Sequence, residues 1–313
     1  MSISVLRTTD AWWVRTPLGA HKIDTTARTT ADLLADRAAI AAATNATPPV
    51  PVETLELLSP VTAPCRVVAQ MTNYISHVRD SGMNPAAVPL TFFRKSSGSI
   101  SGPYGDVRTP NHVRLLDYEV EIGLVIGRSV PVGTDVTEDG LAEVVAGVVV
   151  ANDVSARDVQ LPKTQFYESK SYPTFTPVGP ALVLLDDDDL ARFDELRLQL
   201  RVNGQLRQDM TVGADMIYRP LQALQALTKF QRLDAGDLVL TGTPGGTALK
   251  APSKPIEVLG SLLPPALKWK SFFAAQAKNP NYLQTGDVME ASIATDDGDL
   301  DLGIQRTVVR PAR

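Results

Sequence analysis

The pattern of apolar and polar positions changes character near residue 60. Before it, residues 2–6 and 11–15 alternate and predict a strand pair, because successive strand side chains face opposite sides. The Ala-rich stretch 30–43 predicts a helix with Thr30 as its N-cap. Pro48, Pro49 and Pro51, followed by a Pro-bearing run at 59–64, cannot continue that helix and read as a linker. The expected organisation is a small N-terminal α/β domain over residues 1–60 and a larger domain over 61–313.

In the larger part strand signals dominate, at residues 66–69, 90–94, 116–126, 144–151, 181–185, 196–202 and 238–241. Asn203-Gly204, directly after one of these runs, predicts a tight hairpin, since both central positions of such a turn need positive φ. Residues 214–227 read as a helix within a β-rich α+β body. The run Asp186 to Asp189 lacks the alternating ligands and glycine of a calcium loop and reads as a solvated turn. Residues 251–284 hold a predicted helix, 266–278, with Trp269, Phe272 and Phe273 near one face and Lys268, Lys270 and Lys278 beside them. Packing against the body or a second subunit is the plain expectation for that face.

Composition narrows the function classes. The 313 residues carry 30 Lys plus Arg against 35 Asp plus Glu, a net charge of -5, with no basic stripe to attract nucleic acid or an anionic membrane. Small molecules are the expected partners. A single cysteine, Cys65, and three scattered histidines, His21, His77 and His112, offer neither a disulfide nor a zinc spacing. No apolar stretch is long enough to span a bilayer and none reads as a secretory signal, so a cytoplasmic protein is expected. Nucleophile-elbow, dinucleotide-binding and phosphate-loop motifs are absent from the sequence.

Candidate chemistry concentrates in two runs. In residues 116–126, alternation sends Asp117, Glu119 and Glu121 to one face, and same-face neighbours lie about 6 to 7 Å apart, close enough for Glu119 and Glu121 to share one hard cation. The apolar run 144–151 ends abruptly in Asn152-Asp153, followed by a predicted helical turn at 155–160. Three carboxylates from two strands match the oxygen-rich shell of Mg2+, with Mn2+ or Ca2+ as alternatives.

Asp117-Tyr-Glu-Val-Glu-Ile-Gly, Asn152-Asp-Val-Ser-Ala-Arg-Asp-Val-Gln160, Lys170 with Thr174, Gly179-Pro180, Asn203-Gly204 and Thr241-Gly-Thr-Pro244 occur in an order that resembles the fumarylacetoacetate hydrolase superfamily. The resemblance runs over residues 67–309, interrupted by 251–284. It implies a mixed β-sandwich roll, a homodimer and a magnesium-dependent enzyme acting on oxo-acids or 1,3-dicarbonyls. Carried over by motif, it implies Glu119, Glu121 and Asp153 as metal ligands and Lys170 as the active-site lysine. It also implies Gln160 and Arg157 near the substrate, and Asn73-Tyr-Ile-Ser-His77 as a lid motif whose histidine acts as base. The family often has a glutamate three residues after that histidine; here the residue is Asp80, one methylene shorter. Tyr74, Thr241 and Thr243 complete the expected substrate pocket, although residues 241–244 are equally open to a plain tight turn, and Arg157 is equally open to a structural ion pair with Asp153 or Asp158.

A cation chelated by two oxygens of an α-oxo acid stabilises an enolate, the species shared by hydrolysis, decarboxylation and isomerisation. The first expectation is therefore hydrolysis of a carbon–carbon bond in an acylpyruvate-like acid, with His77 activating water. The alternative is an isomerase or decarboxylase of 2-oxo or 2-hydroxydienoate acids in aromatic-compound breakdown. A catalytically silent cation-binding protein is a third reading.

Overall fold

The computed structural model describes residues 2–46, 48–251 and 264–312. Its strands, in chain order, are β1 Ile3–Arg7, β2 Trp12–Thr16, β3 Gly19–Lys22, β4 Val67–Gln70, β5 Phe92–Lys95, β6 Ile100–Ser101, β7 Asp106–Thr109, β8 Leu116–Asp117 and β9 Val120–Ile126. They continue with β10 Val145–Asn152, β11 Ser155–Ala156, β12 Thr176–Pro177, β13 Leu182–Leu184, β14 Arg197–Val202, β15 Gln205–Thr211, β16 Leu238–Leu240, β17 Val288–Ala294 and β18 Asp301–Pro311. Most join two mixed sheets, ordered β3-β2-β1-β13-β10-β9-β16-β4-β5 and β15-β14-β17-β18-β7. The result is a β-rich α+β fold.

Burial on both faces explains why β9 and β10 read as nearly unbroken apolar runs. One face of the larger sheet, including Ile122, Leu124, Val148 and Val150, shares a core with Leu198 and Leu200 of β14 and Ala291 and Ile293 of β17. The opposite face, including Val125, Val149, Leu182 and Leu238, is covered by Leu33, Leu34 and Ile40 from the helices Thr30–Ala35 and Arg37–Ala46. The smaller sheet alternates: Leu198, Leu200 and Val202 point inward while intervening residues are half-buried or exposed, the pattern of a sheet with one wet face. The Asn203-Gly204 hairpin forms as expected, with φ of 51° and 78°.

The first three strands extend the larger sheet, through antiparallel pairing of β1 with β13, and β3 bridges to Val50 in the Pro-rich stretch. Three element boundaries differ from the sequence expectation for local reasons. The helix expected over 30–43 is two helices broken at Asp36, and its N-cap is Thr29, whose side chain accepts from Asp32 N–H; the Thr30 hydroxyl instead donates to the Pro60 carbonyl at 2.8 Å. The helix expected over 214–227 is split into Val212–Asp215 and Pro220–Leu227, because Pro220 pushes Arg219 out of helical geometry, to ψ 165°. The run 116–126 is broken after Asp117, where Tyr118 N–H turns back onto the Asp117 carboxylate at 2.9 Å.

Asp186 caps the helix Asp187–Ala191 with a reciprocal capping box, so the four-aspartate run is a helix start. The helix expected at 266–278 spans Pro265–Gln276, with Trp269 stacked on Phe273 at 5.5 Å and Phe273 packed against the core. Residues 252–263, part of the 251–284 segment, lie outside the described residues. Among the described residues no helix is long and apolar enough to cross a membrane.

Candidate functional site

Antiparallel pairing of β9 with β10 sets Glu121 opposite Ala151 and Val120 opposite Asn152. Beyond that pair both chains leave the ladder, and they tie to each other: Asp153 N–H donates to the Glu119 carbonyl at 2.8 Å, and Glu119 N–H to Asn152 Oδ1 at 3.0 Å. Glu119, Glu121 and Asp153 therefore converge, all buried, with one oxygen of each within 4.8 Å of the others. Asp117, expected on the same face, is diverted by the break after β8 and stands outside this trio.

Three buried cations surround the acids. Lys170 Nζ bridges Glu119 Oε2 at 2.7 Å and Asp153 Oδ2 at 2.6 Å. Lys95 Nζ, with no side-chain exposure, pairs with Asp153 Oδ1 and donates to the Phe175 carbonyl at 2.9 Å. Arg157 divides its guanidinium among three acceptors: Nε to Asp117 Oδ2 at 2.8 Å, one terminal nitrogen to Glu119 Oε1, and the other to Gln160 Oε1 at 2.9 Å. Arg157 thus pairs with Asp117 and Glu119, correcting the expected Asp153 or Asp158; Asp158 instead accepts Arg114 N–H at 2.8 Å.

Electrostatics separates the two glutamates. Burial would raise the Glu119 carboxyl, but Lys170 and Arg157 outweigh it and hold the group well below the ordinary carboxylate range. Glu121 has no such ion pair among the described residues; burial and then the charges of Asp153 and Glu119 push its carboxyl up, against weaker relief from Lys170 and the Gly242 N–H at 2.8 Å. The repulsion that Glu121 still meets from Asp153 and Glu119 is what a divalent cation at these oxygens would cancel, and the donor set is entirely oxygen, so the trio fits a hard cation. The Lys170 ammonium already bridges two of the three, which makes it the group that a cation would relieve of that bridging.

The histidine segment is docked from several sides. His77 lies on the helix Ile75–Asp80. Ser76 N–H donates to Asp215 Oδ1 at 2.8 Å, the Ser76 hydroxyl pairs with Asp215 Oδ2, and Gly245 N–H donates to Ser76 Oγ at 2.7 Å. Asp80 Oδ2 accepts Gly246 N–H at 3.0 Å and does not engage His77, whose buried Nδ1 has no hydrogen-bond partner among the described residues. Burial lowers the His77 pKa, as do Arg157 and Lys170, against Glu119. Tyr74 is fully buried, and burial pushes its hydroxyl pKa up. The hydroxyls of Thr241 and Thr243 are spent on β9, donating to the Ile122 carbonyl at 3.0 Å and the Val120 carbonyl at 2.9 Å.

The structure therefore brings Glu119, Glu121, Asp153, Lys170, Arg157 and Gln160 into one buried network, with His77 within electrostatic reach. Lys95 was missed by sequence reasoning, which took residues 90–94 as an ordinary strand. A lysine closing a strand that opens with Phe92 and Phe93 is the signal that marks it, because a cation there is buried only with a partner.

A β-rich α+β fold built around a cation-competent carboxylate trio defines the class of protein. The family model for the C-terminal part of fumarylacetoacetate (FAA) hydrolase matches residues 66–310. The chain belongs to the fumarylacetoacetate hydrolase family. Among its relatives is the mitochondrial oxaloacetate tautomerase Fahd2a of Rattus norvegicus, 35% identical over 203 residues, covering 64% of this chain and 63% of that protein. A human mitochondrial oxaloacetate tautomerase, FAHD2A, is 34% identical over 204 residues, with the same coverage. The chain thus matches somewhat under two thirds of the length of these relatives. Among solved structures, a probable 2-hydroxyhepta-2,4-diene-1,7-dioate isomerase from Mycobacterium abscessus superposes with a TM-score of 0.75 at 30% identity, covering 100% of both chains.

Proposed function

We propose that this protein is a divalent-cation-dependent enzyme that moves a proton along an α-oxo acid, interconverting keto and enol forms or shifting a double bond. The observation that carries this reading over hydrolysis is the unsupported His77: among the described residues its Nδ1 has no acceptor to orient the ring, and Asp80 is committed to Gly246. Hydrolysis asks a base to activate and aim a water, which a histidine does best when a second residue fixes its tautomer. Moving a proton between carbon and oxygen asks only for a neutral base near the substrate. The tautomerase and isomerase relatives agree with this choice.

In this reading Glu119, Glu121 and Asp153 hold the cation, Mg2+ or Mn2+, whose chemistry is to polarise the α-oxo carboxylate and favour its enol form. Arg157 and Lys170 supply fixed positive charge for the substrate oxygens, in a dry site where such charge acts strongly. Gln160 holds one arm of the guanidinium. His77, kept neutral near pH 7 by burial and its cationic neighbours, takes or returns the proton.

The test supplies enol oxaloacetate with Mg2+ and follows loss of the enol absorbance, while chromatography looks for cleavage of an acylpyruvate panel. Accelerated enol loss, absent in Glu119→Gln and without cleavage products, is the expected result. Cleavage of an acylpyruvate into two acids with oxaloacetate ketonising at its uncatalysed rate would reinstate hydrolysis.

A further inference from the structure

The DYEVE run carries a third acid that the cation does not need. Asp117 is completely buried and lies outside the ligand trio, yet each of its oxygens accepts two hydrogen bonds. Oδ1 takes Tyr118 N–H at 2.9 Å and Ala248 N–H at 2.8 Å. Oδ2 takes Arg157 Nε at 2.8 Å and Leu249 N–H at 3.1 Å. One carboxylate thus joins the broken start of β9, the strap that follows β16 and the guanidinium at the cation site.

The same strap is gripped at its other side by the histidine helix. Gly245 N–H bonds Ser76 Oγ, Gly246 N–H bonds Asp80 Oδ2, and Ala251 N–H donates to the Asp80 carbonyl at 2.9 Å. Residues 245–251 therefore tie the helix that bears His77, at Gly245, Gly246 and Ala251, to the acid that holds Arg157, at Ala248 and Leu249.

Arg157 shows why this matters. A guanidinium facing one carboxylate prefers to bind it bidentately, covering both oxygens. Here Asp117 takes Nε and Gln160 takes one terminal nitrogen, so Arg157 reaches Glu119 through a single nitrogen, at Oε1. Glu119 Oε2, outside that grip, accepts from Lys170 Nζ at 2.7 Å, the bridge that a bound ion would replace.

We propose that Asp117 is a positioning residue for the cation site: by holding Arg157 at Nε, it keeps the guanidinium from closing over both oxygens of Glu119 and leaves Oε2 for the ion. The inference rests on the cation reading of the trio. It adds an acid that is not a ligand and a specific way in which that acid sets ligand availability.

The experiment is a Mn2+ titration of the purified full chain, read by calorimetry and by the electron paramagnetic resonance signal of free Mn2+, with thermal unfolding of the ion-free protein alongside. Asp117→Asn keeps one oxygen for the backbone amides and removes the charge that fixes Nε. Its Mn2+ affinity is expected to fall about 10- to 100-fold, the usual cost of losing a residue that orients a ligand. Because the effect runs through the guanidinium, it is expected to shrink at least about threefold in an Arg157→Met background, where nothing is left to swing onto Glu119.

Wild-type affinity in Asp117→Asn, or an equal loss in both backgrounds, overturns the proposal and leaves Asp117 as a cap for the strap. Should Asp117→Asn fail to fold, Arg157→Lys decides. A lysine keeps the charge but cannot hold Asp117, Glu119 and Gln160 together, so a loss of about tenfold is expected and wild-type affinity overturns the idea. Failure of the cation reading is separately visible: wild type and Glu119→Gln would then be indistinguishable in Mn2+ uptake, and both readings fall together.

Discussion

At the scale of single residues, the proposed function has Glu121 trade stability for cation binding. It is buried, lacks an ion pair among the described residues, and has its carboxyl pushed up by burial and two neighbouring acids. Glu121→Gln removes that strain while keeping shape and the acceptor for Gly242 N–H, so the ion-free protein is expected to melt at the same temperature or a few degrees higher. Mn2+ uptake should nevertheless be lost, and a variant that melts lower while still binding Mn2+ would refute the assignment. Cys65 makes the opposite case of an inert group. Burial, with help from Asp237, pushes its thiol up to about 12. The nucleophilic thiolate is therefore scarce at pH 8, and iodoacetamide should label Cys65 only under denaturing conditions. Of the site residues, Glu119, Glu121 and Asp153 were legible because alternation and an abrupt strand end are local signals. The partners of Arg157 were not: Asp117 lies 40 positions away, and only the break after β8 turns it from a candidate neighbour of Glu119 into the clasp on Nε.

At the scale of elements, close approach of β13 to β10 depends on a missing side chain. A Cβ on Gly147 would lie 2.3 Å from the Val183 carbonyl oxygen, a backbone atom that cannot turn aside. Gly147→Ala must spread β13 from β10, the strand that leads into Asp153, and about 2 to 4 kcal/mol of stability should be lost, measurable by urea unfolding. An unchanged midpoint would mean that β13 is free to move. Apolar periodicity found the strands around the site because β9 and β10 are buried on both faces. It missed β15, where only Gln208 is buried, and β18, where covered residues largely alternate with exposed ones and Gln305 and Arg306 dilute the signal. The helix breaks at Asp36 and before Pro220 were legible only in part. Proline marks the second, but the first is set at Asp36, whose N–H closes the first helix on the Leu33 carbonyl and whose carboxylate accepts Ala39 N–H at 3.3 Å to start the second, bonds that composition does not reveal.

At the scale of the whole molecule, the site draws on residues from Asn73 to Leu249, so its geometry depends on how distant strands are tied together. One tie lies at the mouth of the parallel β4–β16 pair, where Arg66 bonds Asp234 at 2.7 Å and Asp237 at 2.9 Å, and Arg66 N–H also donates to Asp237. The Arg66 hydrogen bond holds Asp234 at about 2, below the roughly 3.9 of an unfolded aspartate. A carboxyl depressed in the folded state binds fewer protons there than in the unfolded chain. Its contribution is therefore complete above about pH 4 and lost as pH falls through about 2. Because both side chains are about one-third exposed, solvent screening limits the gain to about 0.5–1 kcal/mol. Asp234→Asn should accordingly be less stable than wild type at pH 6 by about that amount, with the gap closing by pH 2 in acid unfolding followed by circular dichroism. A gap that persists undiminished to pH 2 would show that Asp234 acts through its hydrogen bonds alone, and that the charge on this strand tie contributes nothing.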